Sequence, residues 1–118
     1  MRYQIRQGDV YLVPIDTPKN VLLRPVEREN GRVVLAHGEV TGHAHAFSGP
    51  QTMLLEPETP FGVPGITDPV SRVVFVPEPD TMVHEEHSAI PVTPDNVGHF
   101  ALITPREYTP WGERAVRD

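Results

Sequence analysis

The chain has 118 residues, enough for one compact domain and too few for two, and 14 prolines against 9 glycines argue against a helical bundle. The complete lack of cysteine excludes disulfides, thiolate metal sites and cysteine nucleophiles together. A net charge of -6, spread along the chain, gives no footprint for nucleic acid or an anionic membrane, and without a long apolar run or a leader-like amino terminus a cytoplasmic protein is expected.

Along the chain, GDVYLVPI (Gly8 to Ile15) is bounded by turn formers and reads as a largely buried strand. NVLLRPV follows the turn residues DTPKN, and Asn30-Gly31 is a strong two-residue hairpin signal. The spacing predicts that Val21 to Val26 and Arg32 to His37 pair as antiparallel neighbours in a meander. HGEVTGHAHAF (His37 to Phe47) then concentrates three of the chain's six histidines.

SGPQTMLLEP reads as a turn and a short strand, and residues 57–69, PETPFGVPGITDP, form a proline-rich loop that suits a lid, a site rim or a subunit contact. Val70 to Val76 carries the β-branched and aromatic residues of a strand. DTMVHEEHSAIPV continues as strand or strand-to-turn, TPDNVG is a turn, and HFALIT is the last core strand. The charged tail, 105–118, offers Tyr108 and Trp111 as anchors and has room for a short helix. About eight short strands define the expected fold: all-β, a single domain over 1–118, built as a small β-barrel or sandwich.

On an extended strand, residues two apart face the same way, so His43 and His45 can converge on one ion. The HEEH run, His84 to His87, supplies ligands from a distant part of the chain. On a straight strand His84 pairs with Glu86, and Glu85 with His87; if the chain turns there, His84 and His87 can face together. The bland reading of this run is a solvated edge on which acidic groups discourage aggregation. The zinc-protease HExxH is absent, since only two residues separate these histidines. His37 and Glu39 read as a solvated hairpin or as support for a ligand, and His99 reads as a packed or edge histidine. Tyr108 is either a pocket hydroxyl or a packed aromatic. Neither a phosphate loop nor a serine elbow is present, and Ser48, Ser71 and Ser88 lack a triad context.

Gly38 followed after four residues by His43-Ala44-His45, and the spacing from Pro79 to His84, resemble the two motifs of the cupin family. The resemblance implies a cupin-like barrel and a metal held by His43, His45 and His84. This sequence has Thr81 where the second motif has glycine. It has no glutamate at the first motif's distance, the nearest after His45 being Glu56. Glu86, Glu39, His87 and His37 therefore stand as alternatives for the fourth ligand.

The expected function is a small metalloenzyme binding one divalent transition metal through His43, His45, His84 and His87. Zinc is the first candidate, and iron, nickel and manganese are also suited. Glu86, Glu85 and Glu39 are the candidate proton carriers. Zinc-hydroxide hydration or hydrolysis, or cupin-type oxygenase or isomerase chemistry, would act on a small molecule in the open position. The alternative is a non-catalytic, metal-stabilised binding or assembly module, with a homo-oligomer as its natural form.

Overall fold

The computed structural model describes residues 1–38, 40, 42–104, 108–109 and 112–113. Ile5–Gln7 (β1) and Val10–Ile15 (β2) form a tight antiparallel hairpin around Gly8-Asp9, with Gly8 at a φ of 54° that glycine tolerates without strain. The strand expected to begin at Gly8 thus begins two residues later, and β1 precedes it. Pro14, which lacks a backbone donor, lies beyond the end of β1, where β2 has a neighbour on one side only.

Leu23–Pro25 (β3), Val33–His37 (β4), Ala44–Phe47 (β5) and Met53–Pro57 (β6) follow. Next come Val73–Val76 (β7), Asp80–His84 (β8), His87–Val92 (β9), a single 3-10 turn at Pro94–Asn96, and Gly98–Ile103 (β10). Of the tail, Tyr108–Thr109 (β11) and Gly112–Glu113 (β12) pair as a short hairpin, and Trp111 lies outside the described residues. Among the described residues no helix is long and apolar enough to cross a membrane.

The main strands make two antiparallel sheets, β1-β2-β10-β7-β6-β3 and β4-β5-β8-β9, which do not close into a barrel. The expected pairing of the β3 and β4 segments would have joined the two sheets along one side, and it does not occur. The turn itself forms as the sequence predicts: Asn30 and Gly31 have φ of 54° and 79°, and Glu29 and Arg32 exchange backbone bonds of 2.9 and 3.0 Å. Beyond that bridge the strands part, because β3 pairs with β6 and β4 pairs with β5. Arg28 holds the divergence, donating to the carbonyls of Gly31, Gly49 and Thr52.

Both sheets contribute to one core. Leu12, Val74 and Phe100 from the first meet Leu35, Phe47 and Met82 from the second, all essentially sealed from solvent. Burying each such side chain stabilises the fold by about 1.5–3 kcal/mol. The alternate residues Leu55, Val73 and Ala101 point to the opposite face of the first sheet. Phe61, Val63 and Ile66 of the proline-rich loop pack there, and Phe61 and Val70 exchange backbone bonds of 3.1 and 2.7 Å. The loop covers this outer face and lines a separate cleft of about 440 Å³ with Val13 and Leu102.

At the other side of the two sheets, β1 and β9 are edge strands. They are linked there by a side chain, since the buried Gln7 amide of β1 donates to the carbonyls of Met82 in β8, at 3.1 Å, and Ser88 in β9, at 2.9 Å.

Candidate metal centre

The histidine clusters meet at this seam. His45 sits within β5, whose four residues are all buried, and only 6% of its surface is exposed. His84 ends β8 and His87 begins β9; Glu85 and Glu86 are the two-residue tip between them, and the histidines are cross-strand partners. The HEEH run therefore turns, and the turn brings its two imidazoles together as a straight strand would not. The ligand atoms of His45, His84 and His87 all lie within 4.8 Å of one another, with the His45 and His84 ring centroids 4.3 Å apart. One ion could be reached by all three.

A cleft of about 270 Å³ opens against these rings, walled also by Gly8, Asp9, Gly38, Val40 and Glu86. Two glycines keep the imidazole nitrogens uncovered. A Cβ on Gly8 would stand 2.8 Å from His87 Nε2, and one on Gly38 would stand 3.0 Å from His84 Nε2. Either would crowd those nitrogens.

Hydrogen bonds set the rings. Gln7 Oε1 lies 2.8 Å from His45 Nδ1. The Glu86 backbone N–H donates to His84 Nδ1 at 3.0 Å, which places the proton of a neutral His84 on Nε2.

The remaining candidates have other partners. His43 stands just before β5 and turns its Nδ1 to Glu86 Oε2 at 2.6 Å, with its ring 6.1 Å from that of His84. It is near the group of three and outside it. Glu85 Oε1 accepts the Ala44 backbone N–H at 3.0 Å, and its other oxygen is 3.7 Å from Arg32. That backbone bond, above all, holds the Glu85 carboxyl below its usual pKa, with smaller help from His43 and Arg32. His37 Nε2 lies 3.2 Å from Glu29 Oε1, an exposed contact of the kind that contributes little. His99 stacks on Phe75, with centroids 4.3 Å apart, well away from the cleft. Glu39 lies outside the described residues.

Sequence reasoning passed over Gln7, Gly8 and Asp9. The available signal was the alternation of Ile5 and Gln7, which puts a polar amide in the core-facing register of a strand next to a Gly-Asp turn. Recognising it required recognising β1.

Fold and site together define a small all-β protein of two antiparallel sheets with three histidines gathered at a cleft between hairpin tips. The model of the family described as "Domain of unknown function (DUF8820)" matches residues 6–102, and the chain belongs to that family. The matched span includes Gln7, Gly8, Gly38 and the three clustered histidines. No curated protein and no solved structure matches the chain.

Proposed function

We propose that the protein binds one divalent transition metal, zinc first among the candidates, through His45, His84 and His87, and uses it on a small molecule in the adjoining cleft. The convergence of imidazoles from two distant segments on the wall of a cleft, with glycines where side chains would block them, carries this reading. Among the described residues the group has three members, and three protein ligands are the usual complement of a catalytic zinc site that keeps a position for water or substrate. Bound there, the metal would polarise a coordinated carbonyl or water.

Glu86 lines the cleft with Oε2 on His43 Nδ1, and this pair is the group placed to take or return a proton at the rim. Glu85 serves instead to hold the start of β5. The cupin-like reading keeps His45 and His84 from its two motifs and replaces His43 with His87, in a sandwich-like pair of sheets. Coordination through His84 Nε2 requires its proton to move to Nδ1 and the bond from the Glu86 amide to be given up, so the Glu86 amide resonance reports loading.

Cobalt(II) titration tests the open position. We expect one tightly bound cobalt with the intense visible bands of low coordination, shifting when azide is added. A spectrum indifferent to azide would point to a saturated, structural site, and the weak bands of hydrated cobalt would mean that no site exists.

A further inference from the structure

We infer that Gln7 is the positioning residue of this site, acting through His45 to decide which imidazole nitrogen carries the proton. The inference rests on the metal-binding reading for its functional meaning, while the geometry stands independently.

The Gln7 side chain is 2% exposed and all its polar capacity is directed. Its Nε2 faces two backbone carbonyls, Met82 O at 3.1 Å and Ser88 O at 2.9 Å, and carbonyls only accept hydrogen bonds. The amide is thereby held in one sense, because the flipped form would set Oε1 against two oxygens. Oε1 must then face His45 Nδ1, 2.8 Å away, and as an acceptor it requires Nδ1 to carry the hydrogen. In neutral His45 the lone pair is consequently on Nε2. A ligating imidazole is commonly oriented in this way by an acceptor on its other nitrogen, and loss of such a partner costs roughly 10–100-fold in metal affinity.

The same amide ties an edge strand of one sheet to three strands of the other. Through Gln7, β1 is attached to β8, β9 and the His45 ring of β5. The residue that closes the seam between the sheets also sets the tautomer at the site.

The test reads the tautomer directly. Long-range proton–nitrogen spectra of the metal-free protein should show His45 protonated on Nδ1 and not on Nε2. In Gln7→Met, which keeps the volume and removes the acceptor, that preference should be lost and zinc affinity, measured by competition with a chromophoric chelator, should fall roughly 10–100-fold. Gln7→Glu keeps an acceptor for Nδ1 and should restore the Nδ1–H form, at a cost in stability from facing two carbonyls. A wild-type His45 protonated on Nε2 overturns the inference, as does a Gln7→Met protein with unchanged tautomer or unchanged affinity. Should Gln7→Met fail to fold, the wild-type spectrum still decides. The Nδ1–H form in a wild type that binds no zinc would uphold Gln7's hold on the ring and reject the metal reading, so the two fail separately.

Discussion

The chain's six histidines occupy different environments, and the partner of each ring separates them better than its position in a motif. His45 gives Nδ1 to a buried amide, His84 accepts a backbone N–H, His87 stacks against His45, His43 and His37 face carboxylates, and His99 stacks on Phe75. Alternation alone placed His43 and His45 on one side, which was sufficient to nominate both. It could not show that Glu86, brought close by the β8–β9 turn, would engage His43. His99 carries a prediction of its own. Burial, and then the nearby positive charge of Arg2, hold its pKa below 6.5, so the folded state disfavours the imidazolium. The sign follows: the unfolded chain takes up this proton first, and stability is lost as pH falls from about 6.5 through the folded pKa. His99→Phe, which retains a ring on Phe75, should lose less stability between about pH 7.5 and 5.5 in urea titrations. An equal loss in both proteins would contradict this assignment.

At the scale of elements, strands were easier to foresee than their partners. Val10–Ile15, Met53–Pro57, Val73–Val76 and Gly98–Ile103 follow from short apolar runs bounded by turn formers, β-branched above all in Val73–Val76. The Asn30-Gly31 turn was equally legible, yet a turn specifies only the residues beside it, and competition from β6 and β5 drew β3 and β4 apart. The HEEH run shows the same limit in reverse. A two-residue tip of Glu85-Glu86 lacks the usual glycine or asparagine signal, so the hairpin that pairs His84 with His87 was one alternative among several. Its importance can be tested by lengthening the tip. Inserting one glycine between Glu85 and Glu86 should break the His84–His87 register and lower zinc affinity by roughly 100-fold or more, exceeding the loss of an orienting partner. Thermal unfolding should change little. Retained affinity would show that the hairpin does not set the site.

For the whole molecule, composition and punctuation were enough to give an all-β chain without saying whether its sheet closes. Closure depends on whether edge strands meet, and here one side is parted after a single bridge while the other is spanned by Gln7. The cleft lies at the seam that Gln7 spans, where residues 7, 45, 84 and 87 come together from separate parts of the chain. The pairing of distant histidines was anticipated; the contribution of the amino-terminal hairpin was not, because Gln7 and Gly8 act through a hydrogen bond and through an absent side chain. The most direct measurement is zinc content and affinity of the untagged protein beside five single variants. The account predicts one zinc per chain, lost in His45→Ala, His84→Ala and His87→Ala and kept in His43→Ala and His99→Ala. Binding no tighter than about micromolar in the parent protein, or equal loss in all five variants, would contradict it.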